Sequence, residues 1–306
     1  MPIRAHRAKA TSVLFCGVLS LANRLDAQPN HEGGTRFDRV VIVVMENRGA
    51  SQVLSDGNIA SIMKQAAWFS DYHALSHPSQ PNYLALVAGS TFGLTKDHLD
   101  TAIKRRSIIN RLEQKGLTWK AYAEDYPGRC LTSDARKGSP HPAASPTALY
   151  AMRRVPFLAF ATVQNDPARC ARVVNAGQFM ADARAGTLPN YSFYAPNLVH
   201  DGHDASLGSA ASWLKQFVDT LQSSGAMNQR TLLAVVWDEG SGPDLRSNRV
   251  LAMLLGDMVV PGRYSTRLTH YSLLRTIEDN FGLLPVAAGD ANAALVPEEV
   301  WRATAP

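Results

Sequence analysis

Residues 39–45, Arg39-Val40-Val41-Ile42-Val43-Val44-Met45, decide the fold. The run is β-branched and does not alternate, which suits a strand buried on both faces of a parallel sheet. Thr231-Leu232-Leu233-Ala234-Val235-Val236-Trp237 repeats the pattern far downstream. Working outward, residues 68–75, 117–122, 190–194 and 249–255 read as further strands. Helical patterns fill residues 51–67, 107–115 before Gly116, 171–185, the stretch from Ser206 to about Leu221, and the stretch from His270 to Phe281 before Gly282. Strands alternating with helices define an α/β chain. The expected architecture is a three-layer αβα sandwich around a mostly parallel central sheet. Residues 126–170 are proline-rich, basic and irregular, and are expected to run as a long excursion over the sheet edge. No internal repeat or linker divides the chain, so residues 28–306 are read as one domain.

The 306 residues are 45% hydrophobic and 19% charged, with a formal net charge of +5. Arg4, Arg7, Lys9 and Arg24 against Asp26 place three of those charges in the first 27 residues. The remainder is close to neutral, which argues against a nucleic-acid partner. The front end reads as a signal peptide: a basic n-region (Arg4, His6, Arg7, Lys9), an apolar run over 13–22, and candidate cleavage after Ala22 or Ala27. That run is short of the ~20 apolar residues of a membrane span. The alternative is an N-terminal anchor. The expected location is secreted or periplasmic. Cys16 would leave with the leader, and Cys130 with Cys170 is expected to form one disulfide, the alternative being two buried thiols.

Residues 76–90, Ser-His-Pro-Ser-Gln-Pro-Asn-Tyr-Leu-Ala-Leu-Val-Ala-Gly-Ser, place Ser79 at a turn that opens a helix. Pro81 fits the first turn, and Tyr83, Leu84, Leu86, Val87 and Ala88 give the helix a buried side. A serine there caps the helix. Alternatively, its hydroxyl works chemically where free N–H groups and the dipole favour an anion. The two apolar strands end in Met45-Glu46-Asn47 and Trp237-Asp238-Glu239. In a parallel sheet both ends share one edge, where open α/β sheets carry their sites. Glu46 also fits a plain helix-start acid beside Ser51. Three carboxylates and an amide make a hard-oxygen set suited to one divalent cation, Mg²⁺, Ca²⁺, Mn²⁺ or Zn²⁺. Clustered carboxylates repel without one. Ser79 can join that edge, where a cation on its Oγ would make it a nucleophile. His203, in the ionisable loop 196–204, and His270 would supply a proton donor and positive charge.

These residues carry a family resemblance. VIVVMENR (41–48), HPSQPNY (77–83), GHD (202–204), WDEG (237–240) and HYSLLRTIEDNFGL (from His270) resemble the phosphoesterase family of secreted bacterial acid phosphatases and phospholipases C, within the alkaline phosphatase-like superfamily. The likeness runs in order from about residue 38 to 286. It is strongest to small secreted acid phosphatases acting on phosphoinositide and other monoesters. The resemblance implies metal binding by Glu46, Asn47, Asp238 and Glu239, with Ser79 as metal-bound nucleophile. It implies phosphate binding by Asn82, and phosphate-proximal roles for His203, Asp204 and His270, with Asp201 a weaker candidate. Arg153-Arg154 stands where relatives carry a basic–histidine pair, so Arg154 is the expected phosphate or leaving-group contact. The histidines are too few for a full two-zinc site, so the metal count stays open.

The expected activity is therefore an exported, metal-dependent phosphomonoesterase acting on a small phosphomonoester or phosphoinositide head group, with no stable membrane span. A phospholipase C-type diesterase would need an apolar approach surface, and residues 126–170 are basic instead. A sulfatase would carry arginine where Tyr83 stands. A secreted anion-binding protein without turnover is the non-catalytic alternative. Oligomeric state is not legible.

Overall fold

The computed structural model describes residues 1, 34–128, 130 and 149–303. Chain compactness separates residues 1–31 from 32–306. The expected signal peptide, Met1 apart, lies outside the described residues, as do residues 131–148 of the long excursion.

In chain order the elements are β1 (Arg39–Met45), α1 (Ala50–Val53), α2 (Gly57–Met63), β2 (Ala67–His73), α3 (Ser79–Ala88), α4 (Ile108–Gln114) and β3 (Trp119–Ala123). There follow α5 (Ala161–Gln164), α6 (Pro167–Cys170), β4 (Val173–Asn175), α7 (Phe179–Ala185), β5 (Tyr191–Ala195), α8 (Leu207–Ser223) and β6 (Thr231–Trp237). The chain closes with β7 (Arg249–Leu255), β8 (Gly262–Tyr264), β9 (Leu268–Thr269), α9 (His270–Asn280) and α10 (Ala288–Ala291). The strands form one sheet in the order β4-β3-β5-β1-β6-β7-β2-β8, with β9 also on β2.

β7 alone runs against the others; it pairs antiparallel with both β6 and β2. Two reversals restore direction, so β2 ends on the same edge as β1 and β6. That matters because Ser79 follows β2 by six residues. Every residue of β5 and β6, and all of β1 except Arg39, is buried. Strands buried on both faces need cover on both faces. Two packed helix groups provide it, α3 with α9 and α10, and α2 with α8 and α7. The mostly parallel sheet between helices is the expected architecture.

Several expectations change in detail. The helical pattern over 51–67 breaks into α1 and α2, because Asp56 stops one and caps the other, accepting from the N–H groups of Asn58 and Ile59. Residues 171–185 hold the short edge strand β4 before α7; three residues are too few to show a period. α3 is buried all round rather than on one side, as its uniformly apolar composition after Asn82 allows. It ends at Gly89, with φ 61°. A side chain there would land on Asp290 Oδ1 as well as strain the left-handed backbone. Cys130 and Cys170 form the expected disulfide. No described helix is long and apolar enough to cross a membrane.

Candidate active site

The register of the sheet builds the site. Met45 pairs with Trp237 across β1 and β6, so Glu46 and Asp238 leave the sheet side by side. Asp238 N–H donates to Met45 O at 2.9 Å, and Asn47 N–H donates to Asp238 Oδ1 at 2.9 Å. On the other flank, Glu46 N–H donates to Asp201 O at 2.9 Å, which ties the loop after β5 to the same edge. Asn47 adopts φ 49°, a left-handed conformation that asparagine tolerates better than most residues.

Ser79 is the first residue of α3 and is 2% exposed. Its Oγ donates toward Glu239 Oε1 at 2.9 Å and lies 3.3 Å from Glu46 Oε2. It also contacts Asp238. One hydroxyl proton thus faces three buried carboxylates. Burial, then repulsion from Glu46 and Glu239, raises the Asp238 carboxyl well above its usual range. Burial raises Glu239 too, against the opposing contacts from His77 and Ser79.

Arg154 offsets part of this charge, and His77 touches one of the carboxylates. Arg154 is 1% exposed, with its Nε 3.0 Å from Glu46 Oε1 and its Nη1 in contact with Asp201 Oδ2. His77 Nδ1 contacts Glu239 Oε2. Tyr83 hydrogen-bonds to Glu46, and its hydroxyl is pushed up by burial and by Glu46 and Asp238. Glu46 Oε2, Glu239 Oε1, Asp238 Oδ2 and Ser79 Oγ remain as a hard-oxygen set, and Asp238 Oδ2 is buried without a hydrogen-bond partner. That orphaned oxygen and the carboxylate excess fit a divalent cation. Among the described residues no group of three or more His, Cys, Asp and Glu is itself spaced as a metal site.

The other expected residues take up different positions. Asn82, expected on phosphate, is fully buried and bonded to the preceding turn. Its Oδ1 accepts from Leu75 and Ser76 N–H, and its Nδ2 donates to Ser76 O and Pro78 O. Arg154, expected on substrate, is spent on Glu46 and Asp201. His270 is fully buried; its Nε2 lies 2.7 Å from Asp238 O and its Nδ1 3.3 Å from Tyr72 Oη. Burial lowers its pKa to about 4, so it is neutral near pH 7. His203 and Asp204 pair with each other. Their loop is pinned by Arg48, whose Nη2 donates to Gly202 O and Ala205 O. The helix start is not open to an anion in the expected way, since Gln80 N–H donates to Asp97 Oδ1 at 2.8 Å. His77, Arg48 and Tyr83 were missed as site residues although all three lie inside the quoted motifs. Nothing in a single sequence separates their contacts from those of a plain turn or core residue.

The fold is similar to that of an alkaline phosphatase superfamily protein from Vibrio parahaemolyticus, with a TM-score of 0.53 at 12% identity over 89% of this chain and 74% of that one. The Phosphoesterase family profile matches residues 57–284, and the chain belongs to that family. It is 32% identical to a phosphatidylinositol-3-phosphatase of Mycobacterium tuberculosis, over 87% of this chain and 83% of that protein. It is 29% identical to a phosphate-repressible acid phosphatase of Penicillium chrysogenum, over 86% of this chain. It spans only 63% of that fungal relative's length.

Proposed function

We propose that the chain is an exported phosphomonoesterase of acid phosphatase type that uses Ser79 as nucleophile. The observation that carries this reading is Ser79 Oγ at a helix start, held 2.9 Å from Glu239 Oε1 and 3.3 Å from Glu46 Oε2. The acid phosphatase and phosphatidylinositol-3-phosphatase relatives support a small phosphomonoester or phosphoinositide head group as substrate. The disulfide between Cys130 and Cys170 supports export. Residues 1–27 are then the leader and 28–306 the catalytic domain.

Ser79 Oγ forms a bond to phosphorus as the ester oxygen–phosphorus bond breaks, and its proton passes to Glu239 Oε1. The departing alcohol takes a proton from His203, which Asp204 orients. Water then bonds to phosphorus and gives a proton to His203 as the Oγ–phosphorus bond breaks, and Glu239 returns its proton to Ser79 Oγ. His270 holds Asp238 through its main-chain oxygen, and Arg154 bridges Glu46 and Asp201. Glu46, Asn47, Ser79, Asp238 and Glu239 would hold one divalent cation, which supplies charge stabilisation and a more acidic serine hydroxyl when bound.

Ser79→Ala should abolish release of phosphate from an aryl monoester and leave no acid-stable phosphoprotein. Substantial residual turnover would sink the nucleophile. Chelator-stripped protein should recover on adding back one of Mg²⁺, Ca²⁺, Mn²⁺ or Zn²⁺, and failure with all four would remove the metal. For export, the mature protein should begin near residue 28, and an intact Met1 on the exported chain would count against the leader.

A further inference from the structure

We infer that His77 is a positioning residue for Ser79, acting through Glu239; the inference rests on the serine-nucleophile reading above. His77 lies two residues before Ser79 on the turn between β2 and α3. Its Nδ1 contacts Glu239 Oε2, and its Nε2 lies 3.1 Å from Leu245 O. Both partners are acceptors, so a ring N–H is what either one takes. The other oxygen of the same carboxylate, Glu239 Oε1, accepts from Ser79 Oγ at 2.9 Å. One carboxylate therefore bridges the imidazole and the nucleophile.

The bridge has a physical purpose. The terminal torsion of a glutamate is broad and roughly two-fold. An unanchored Glu239 would exchange its oxygens and swing away from Glu46 and Asp238, which repel it. A donor on Oε2 removes that freedom and leaves Oε1 facing Ser79. The imidazole is itself mounted on a fixed turn. Asn82 clamps Leu75, Ser76 and Pro78 from inside, while Asn248 Nδ2 donates to Ser76 O at 2.9 Å and Asn248 O accepts from Ala74 N–H at 2.9 Å. Leu245 O holds the far side of the ring. The His77 side chain is 38% exposed against 8% for Glu239, so the ring stands at the rim and screens the carboxylate behind it. Partners of this kind, one shell out from a binding group, typically change affinity or activity by about 10–100-fold when removed.

Two substitutions separate this role from a structural one. Asparagine carries an amide N–H near the position of Nδ1 and keeps the hold on Glu239. Glutamine reaches the position of Nε2 and keeps only Leu245 O. In the full chain with metal supplied, His77→Gln should lower kcat about tenfold or more with KM within about threefold, and His77→Asn should keep kcat within about threefold of the parent. A turn-bracing role through Leu245 predicts the reverse order. That order, or equal losses in the two variants, overturns the inference. Titration of Mn²⁺ into chelator-stripped protein gives a readout independent of turnover, and His77→Gln should bind about tenfold more weakly than His77→Asn. If the parent protein hydrolyses no monoester, the phosphatase reading falls while the Mn²⁺ titration still judges His77, and equal affinities overturn it. A parent that neither turns over a monoester nor binds Mn²⁺ overturns both.

Discussion

The starts of α3 and α8 look alike in sequence and do opposite things. At α8, Ser206 sits outside the helix in an extended conformation, and its Oγ accepts from Ser209 N–H at 3.1 Å. It is a helix cap. At α3, Pro78 holds the cap position and offers no side-chain bond. Asp97 reaches in from a distant loop and takes the Gln80 N–H instead. Ser79 is thereby released from capping, and its Oγ turns to Glu239 and Glu46. A serine hydroxyl becomes available for chemistry when another residue satisfies the helix end.

The contrast can be broken by exchanging roles. Ser79→Ala should cost turnover about a thousandfold or more, while Ser206→Ala should leave kcat/KM within about twofold; comparable losses in both would erase the distinction. Next in size is the counter-charge. Arg154→Met leaves Glu46 and Asp201 buried without their cation, and should cost about 3–5 kcal/mol in urea unfolding of the chelator-stripped protein. A loss below about 1 kcal/mol would mean that the pair is well solvated.

A second buried acid pair serves as a control. Burial and Asp290 beside it push Glu278 up to about 9, with Arg275 opposing and the Tyr191 hydroxyl nearby. Val286 N–H donates to Glu278 Oε1 and to Asp290 Oδ2, and Ala287 N–H to Asp290 Oδ1. Main-chain donors serve both carboxyls of this pair, and Glu278 Oε2 stays buried without a hydrogen-bond partner. The folded state keeps a proton on Glu278 that the unfolded chain releases at ordinary carboxyl values. Stability from this group is therefore full below about pH 4.3 and is lost as pH rises toward 9. Glu278→Gln should raise stability at pH 8 by roughly 1–3 kcal/mol and change little at pH 4. A gain equal at both pH values would disprove the proton held on Glu278. The smallest effects are at the caps. Ser206→Ala and Asp97→Ala should each cost about 1 kcal/mol in thermal unfolding, and Ser79→Ala should cost less than either.

Much of the architecture was legible because buried strands announce themselves. β1 and β6 are long, β-branched and uninterrupted, and polar residues after such strands fall on one sheet edge. β4, β8 and β9 are two or three residues long, below any readable period. The reversal of β7 was not legible either, since an apolar run carries no direction. Within the site, Glu46, Ser79, Asp238 and Glu239 could be read from strand ends and a helix start. The contacts of Asn82, Arg154 and His270 could not, because each depends on partners that the fold, not the local pattern, brings near.

The sequence by itself determined the long core strands and the longer helices, which edge carries the acids, and that Ser79 opens a helix. Hydrophobic period and strand-end polarity are local properties, so they survive in one dimension. Tertiary structure alone decided that Asp97 relieves Ser79 of capping, that Arg154 bridges Glu46 and Asp201, and that His77 grips Glu239. Those outcomes depend on distances between residues as many as 162 positions apart. Such distances are set by the register of β1 against β6 and the placement of loops over the sheet edge, which no local pattern encodes.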